Sequence, residues 1–402
     1  FIQVLEDGAQ VELTTSYHQG TIRGFEHAAE IAQLGGAEPT SEYWARLEKM
    51  YEYTMVLQKP DGTQPMLGDS WPGDTRRILR DGAERFNRTD MLYVASAGTE
   101  GTPPAQLDMG LPSAGYYVMR TDWADPQGIY VFTDVAHHWG GGHQHPDALQ
   151  INLYAYGKTL LPDSGSYLYY GPERKRFGST KSHSTVTVDD KNQNHTPAVL
   201  NGFARTQDLS FLDGSQAGYE GITHRRQVLF ARPVAGVSPY LVVIDRITGT
   251  GEHTVDQYFH FLPAPVKQGP LEMHTVLPDG PNLLVRAVSA DGVTMEAVDS
   301  EVSFVYTEKE PRPAVRYRQK RALPVSFVTL LVPYTGNDMP EIVASEMVLD
   351  GAMGVRVEGD GFSDVIFATD QPVAVSELGV TTVARAGLIR TRKGKTETQV
   401  IE

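Results

Sequence analysis

Gly115-Tyr-Tyr-Val-Met-Arg-Thr-Asp-Trp-Ala-Asp-Pro-Gln-Gly-Ile-Tyr-Val-Phe-Thr133 is where the hydrophobic period of the chain changes. Two runs of β-branched and aromatic residues, Gly115–Arg120 and Gly128–Thr133, flank an Asp/Pro/Gly turn and read as paired strands. Upstream the period is helical. Gly20 to Leu34 places Ile22, Phe25, Ala29 and Ala32 at three- and four-residue spacing, and Gly35-Gly36 stops the run. A second helix is expected over Ser41–Leu57, with Ser41 as N-cap and Tyr43, Leu47, Met50, Tyr51 and Met55 on one face. Pro60-Asp-Gly62 ends it, and the Gly/Pro-rich stretch 98–112 reads as a linker. Downstream, period-two runs recur at 184–188, 240–245, 253–261, 282–288, 303–307, 324–333, 353–357 and 364–368. No helix-length periodic segment interrupts them. The expected class is therefore α+β and multidomain: helices over 1–97, the linker, then an antiparallel β-sandwich over 113–402 with roughly fifteen or more strands. The basic tail Arg385–Lys395 reads as a solvated edge strand.

The 402 residues suffice for roughly two or three domains. A formal charge of −15 disfavours non-specific attraction to nucleic acid or anionic lipid, so an anionic ligand must meet a local basic patch. No run approaches the ~18 consecutive apolar residues of a membrane span. With no Cys, thiol nucleophiles, Fe–S clusters and Cys-based zinc sites are excluded, and a metal would need His and carboxylates. Phe1 opens the chain inside what already reads as a domain, so an expectation is that a leader or larger N-terminal region precedes it.

The densest chemical cluster is His137-His-Trp-Gly-Gly-Gly-His143-Gln-His145-Pro-Asp147, with four of the twelve His within nine positions. In extended backbone His143 and His145 project to one side, and they can bind metal, accept a proton, or both. Asp163 and His183 follow downstream; two His and one carboxylate suit zinc, the alternative being a hydrogen-bonded triad with no ion. Tyr17 and His18 stand at the start of the first helix, where packing or capping competes with chemistry, and Glu12 is near enough in sequence to orient either. Gly68-Asp-Ser-Trp71 has the outline of one esterase nucleophile block but lacks its following Leu and any preceding strand. No Gly-x-Ser-x-Gly elbow, phosphate loop or dinucleotide fingerprint is present, and no carboxylate pair stands out for glycoside hydrolysis.

Three ordered blocks carry a resemblance: His143-Gln-His-Pro-Asp-Ala-Leu-Gln-Ile-Asn-Leu-Tyr-Ala-Tyr-Gly157, Leu161-Pro-Asp-Ser-Gly165, and Arg176-Phe-Gly-Ser-Thr-Lys-Ser-His-Ser-Thr-Val186. With Asp7–His18 and Pro60–Ser70 they resemble the heparinase II/III-like polysaccharide lyases, heparinase III-type members above all. The resemblance implies the C-terminal part of an (α/α) toroid followed by a large antiparallel β-sandwich. It implies β-elimination on a uronate-containing polysaccharide, a carbon–oxygen lyase reaction, with a glycosaminoglycan such as heparan sulfate favoured and alginate or another uronan next. Carried over, Tyr17 and His143 are the catalytic pair, His145, Asp163 and His183 a structural metal site, usually zinc, and one of Tyr169 and Tyr170 a second cleft Tyr. His18 is expected beside the substrate, and Arg176, with Arg174 and Lys175, supplies positive charge for an acidic sugar. The remaining toroid helices, and the Asn or His that neutralises the uronate carboxylate, would lie before Phe1 or on a separate chain. Ser184 departs from the Asn often found after the third-block His. Nucleic acid and membrane partners are not expected, a homo-oligomer is compatible with the sequence, and the implied compartment is periplasmic or extracellular. Two other classes stay open: a non-catalytic carbohydrate-binding β-sandwich and a carboxylate-dependent glycoside hydrolase.

Overall fold

A computed structural model describes residues 3–137, 142–194, 197–349, 352–377 and 380–402. Four helices precede the first sheet: α1 (Thr15–Leu34), α2 (Ser41–Leu57), α3 (Arg76–Phe86) and α4 (Thr89–Ala95). In α1 the buried residues Thr15, His18, Ile22 and Ala29 recur at three, four and seven positions, the stripe that one face of a helix presents. Leu47, Met50, Tyr51, Thr54 and Met55 do the same for α2. Each large apolar side chain buried this way contributes about 1.5–3 kcal/mol. The N-cap of α2 is Thr40 rather than Ser41: the Thr40 hydroxyl accepts from the Tyr43 N–H at 3.2 Å, so the helix starts one residue earlier than a Ser41 cap would give. At its other end Arg120 turns its guanidinium onto the carbonyls of Gln58 (3.2 Å) and Val56, groups with no partner inside the helix.

Arg120 comes from a five-stranded antiparallel sheet of β1 (Met109–Leu111), β2 (Tyr116–Arg120), β3 (Ile129–Asp134), β4 (Ile151–Ala155) and β5 (Lys158–Leu161), in that order. Tyr53, Val56 and Leu57 of α2 share one core with Tyr116, Val118, Tyr130, Phe132 and Tyr154. Strand β1 falls inside the stretch 98–112 expected as a linker. A seven-residue helix, α5 (Gly171–Phe177), interrupts what was expected to be an all-strand region. Pro172 in its first turn and Gly178 at its end explain both limits. Such a short helix leaves no periodic signature.

The chain divides into two compact units. The first contains residues 1–185, 192–197 and 299–312; the second contains 186–191, 198–298 and 313–402. The helices and first sheet therefore belong to one unit, and the density of contacts does not follow the change from helix to strand. In the second unit an eight-stranded antiparallel sheet, with Tyr240–Thr248 and Val325–Thr335 at its middle, shares one apolar core with the sheet formed by 343–401. The basic tail is not a bare edge. Val380–Arg392 pairs on both sides, Arg390 is buried on Asp364, and Arg385 donates to Asp213 at 3.3 Å. The strands Thr294–Val305 and Glu308–Ala322 are neighbours in a further sheet, and the residues around their turn, 299–312, are part of the first unit. There Ser303 N–H donates to Ser164 O at 2.9 Å and Thr307 N–H to Tyr167 O at 3.0 Å, clipping the turn to the 164–167 segment. No helix among the described residues is long and apolar enough to cross a membrane.

Candidate active site

The site lies within the first unit and begins at the first turn of α1. Tyr17 leaves the helix beside the Gly68–Trp71 loop, which Ser70 ties down: its hydroxyl accepts from Ser16 N–H at 3.1 Å and donates to Leu67 O at 2.7 Å. Gly68 sits at φ +61, and an added Cβ would come within 2.5 Å of the His143 carbonyl. That close approach lets the Asp69 N–H donate to His143 O at 2.9 Å.

Asp69 then organises three side chains. Its carboxylate, 1% exposed, meets His143 Nδ1 at 3.0 Å, His145 Nε2 at 3.1 Å and the Arg174 guanidinium at 2.8 Å. Burial acts to raise the Asp69 carboxyl, but the bonds and charge of His145, Arg174 and His143 outweigh it and hold the group below the usual carboxylate range. An ionised carboxylate only accepts, so His143 carries its proton on Nδ1 and His145 on Nε2. Arg174 Nη1 also stands 3.2 Å from His145 Nε2; with that nitrogen protonated toward Asp69, the contact is two donors sharing one acceptor. The consequence is chemical: His143 keeps a lone pair on Nε2, and His145 keeps one on Nδ1.

The His143 ring stacks on Tyr17 with centroids 4.0 Å apart and planes 17° from parallel. The Tyr17 hydroxyl lies 2.9 Å from that of Tyr169, which meets His143 edge-on at 5.7 Å. Burial, and then the bond to Tyr17, push the Tyr169 phenol above its ordinary range, so Tyr169 keeps its proton and can donate to a Tyr17 oxygen that has lost its own. Tyr17, His143 and Tyr169 thus converge. Of the two tyrosines expected near the cleft, Tyr169 joins this group, whereas Tyr170 is 69% exposed at the start of α5.

Two expected substrate contacts are corrected. His18 is 1% exposed; its Nε2 donates to Met50 O at 2.9 Å and its Nδ1 accepts from Gln10 N–H at 3.3 Å, leaving nothing for a sugar. Burial, only partly opposed by the Met50 bond, lowers its pKa to about 4. Arg176 turns away to Glu301 and Glu173, and Arg174 on the same helix is the one that reaches the site. Among the described residues the Glu12 carboxylate bonds neither Tyr17 nor His18, and the Glu12 N–H donates to Gln10 Oε1 at 2.9 Å. Residues 138–141 of the His/Gly cluster, His138 among them, lie outside the described residues.

Beside this group, His145, Asp163 and His183 are buried and offer ligand atoms within 4.8 Å of one another. Among the described residues His145 Nδ1 and His183 Nε2 are buried with no hydrogen-bond partner, while His183 Nδ1 donates to Asp163 at 3.3 Å. Burial lowers His183 against the pull of Asp163, which favours a neutral, ligating imidazole. Asp147 is pushed well above the carboxylate range by burial and by Asp134 and Asp163, and burial pushes Asp134 up to about 7. Orphaned imidazole nitrogens among crowded carboxylates fit a divalent cation, which would satisfy the first and offset the second. Arg312 staples the segments that carry these residues, donating to Pro162 O (2.7 Å), Asp163 O (3.0 Å) and Ser182 O (3.0 Å).

Sequence reasoning missed Asp69, Trp71 and Arg312. Asp69 and Trp71 sit in the Gly68–Trp71 block, whose outline is that of an esterase nucleophile centred on the Ser. Trp71 donates its Nε1–H to Ser166 O at 2.8 Å and meets Tyr169 edge-on at 6.3 Å.

Comparison with known proteins gives the family of the chain. A heparin-sulfate lyase of Pedobacter heparinus is 30% identical over 360 residues, covering 86% of this chain and 54% of that protein. A heparin-sulfate lyase of Bacteroides stercoris is 28% identical, covering 85% of this chain and 53% of the relative. The crystal structure of the heparan sulfate lyase from Pedobacter heparinus superposes with a TM-score of 0.83 at 27% identity, over 91% of this chain and 60% of that one. The chain spans about half the length of the curated relatives it matches. The family model described as "Heparinase II/III N-terminus" matches residues 1–93, and that described as "Heparinase II/III-like, C-terminal" matches 103–346, so the chain belongs to the heparinase II/III-like family.

Proposed function

We propose that this chain carries the catalytic centre of a glycosaminoglycan lyase that cleaves heparan sulfate or a similar uronate polymer by β-elimination. The observation that carries the reading is the Tyr17–His143 stack at 4.0 Å, with the His143 tautomer held by Asp69. A C5 proton is weakly acidic, and its removal builds a dianion on C5 and its carboxylate. His143, its Nδ1 directed to Asp69 and its side chain partly exposed, offers Nε2 to that proton when C5–H and O4 lie on opposite faces. Tyr17 then protonates the departing O4, and the Tyr169 O–H stabilises the charge left on the Tyr17 oxygen. When both lie on one face, Tyr17 serves as base and acid in turn. General acid–base groups of this kind contribute about 10²–10⁴-fold each.

The cation held by His145, Asp163 and His183 is Zn2+ in this reading, from the two-imidazole, one-carboxylate donor set. When bound it supplies structural charge balance at the base of the His143–His145 segment. The helices over 1–97 are taken as the C-terminal part of an (α/α) toroid, with 98–112 as connection and 113–402 as a β-sandwich domain. Additional helix pairs and the group that neutralises the uronate carboxylate then come from sequence outside this chain. A polymer of this kind is degraded in the periplasm or outside the cell. The test is absorbance of the conjugated C4–C5 double bond in a panel of heparan sulfate, heparin, hyaluronan, chondroitin sulfates and alginate. A rise with one polymer supports elimination and names the substrate; new reducing ends with no such absorbance would replace the reading with hydrolysis.

A further inference from the structure

We propose that Trp71 and Tyr306 form an aromatic subsite that stacks a pyranose ring of the substrate beside the bond that breaks; this rests on the lyase reading above. The two rings meet at 5.6 Å and 73°, and both reach Tyr169, at 6.3 and 5.3 Å. Tyr169 in turn places its hydroxyl 2.9 Å from that of Tyr17, so the wall is continuous with the reacting groups. It is also open: Tyr306 is 39% and Tyr169 37% exposed.

Packing alone does not account for Tyr306. The turn that carries it is already fixed by the backbone bonds from Ser303 to Ser164 and from Thr307 to Tyr167, and by the Ser303 hydroxyl on Ser166 O at 3.0 Å. The Trp71 indole has its only polar group satisfied by Ser166, so the rest of its surface is purely apolar. Ion pairing is a poor alternative for this wall. Arg174 is committed to Asp69, Arg176 to Glu301 and Lys309 to Glu173 and Glu301, which leaves contact area as what these rings offer. A sugar ring has a C–H-lined face that suits aromatic surface, and a rigid aromatic side chain is ordered at little entropic cost.

The test uses size-defined heparan sulfate oligosaccharide and the full protein, with Tyr17→Phe included to stop turnover during binding. Titration is followed by calorimetry and by tryptophan emission. Tyr306→Ala and Trp71→Ala are expected to weaken binding roughly tenfold each, a contact-sized effect. Tyr306→Phe, which keeps the ring, is expected to recover most of the affinity. In the turnover-competent protein KM rises more than kcat falls. Unaltered affinity in both alanine variants, with native melting curves, overturns the subsite, as does a kcat loss at constant KM. Absence of unsaturated product from the native protein overturns the lyase reading instead, and the binding data still decide the subsite.

Discussion

Asp69→Asn removes one charge and no volume, and its effect follows from the three donors that converge on the carboxylate. His143 Nδ1–H, His145 Nε2–H and Arg174 lie 3.0, 3.1 and 2.8 Å away, and the acceptor is 1% exposed. An amide has one acceptor oxygen for three donors, and its NH2 must face one of them. If the NH2 faces His143, the ring accepts on Nδ1 and moves its proton to Nε2, which abolishes the base. Elsewhere, making an amide of the carboxylate that orients a catalytic His costs about 10⁴ in kcat through the wrong tautomer. Here the Tyr17-only route would persist for one substrate epimer, so the expected loss is about 10²–10⁴ in kcat with a smaller change in KM. Charge-assisted hydrogen bonds are worth about 1.5–3 kcal/mol each. Arg174 is partly exposed and keeps some solvation, so the expected stability loss is about 2–4 kcal/mol rather than the full sum. The assays are initial rates by product absorbance, thermal unfolding, and nitrogen-resolved NMR of the His rings. Turnover within about threefold of native, with His143 still protonated on Nδ1, would refute the reasoning.

Tyr17→Phe keeps the stack on His143 and removes the transferable proton; turnover should fall by at least about 10³ with an unchanged melting curve, and normal turnover would sink the assignment. His145→Ala or Asp163→Ala should lower metal content, read by elemental analysis, and chelation should destabilise the native protein; for a cation at 100 times its Kd the linkage is about 2.7 kcal/mol. A native protein free of metal and indifferent to chelator would contradict this. His18 has its folded pKa lowered to about 4 from an ordinary 6.5, so the stabilisation from keeping it neutral is complete above about 6.5 and is lost as pH falls toward 4. That loss amounts to about 3 kcal/mol at most. Denaturant midpoints of the native protein and His18→Gln should converge across that window; parallel curves would refute it.

Much of the site was legible because its residues cluster in sequence. Tyr17 stands at a helix start, His143 and His145 are two apart in one Gly-rich segment, and Asp163 and His183 sit in distinctive short blocks. Periodicity likewise placed α1 and α2 and about half of the strands, since burial on one face imposes that spacing. The misreadings share a physical cause. His18 adjoins Tyr17 in sequence, but one helical step rotates a side chain by about 100°, which turns it into the core. Arg174 and Arg176 are two steps apart on α5, about 200° around the axis, so only one can face Asp69. Asp69 is 74 residues from His143, and among 50 acidic residues nothing local marks it out. Arg312 bonds carbonyls some 150 residues away, a relation that tertiary structure alone creates.

The most direct measurement is the rate of unsaturated-uronate absorbance from heparan sulfate, with native protein and Tyr17→Phe compared at equal metal loading. The account predicts a steady rise for the native protein and essentially none for the variant. Equal rates from the two, or hydrolytic products without the absorbance, would contradict it.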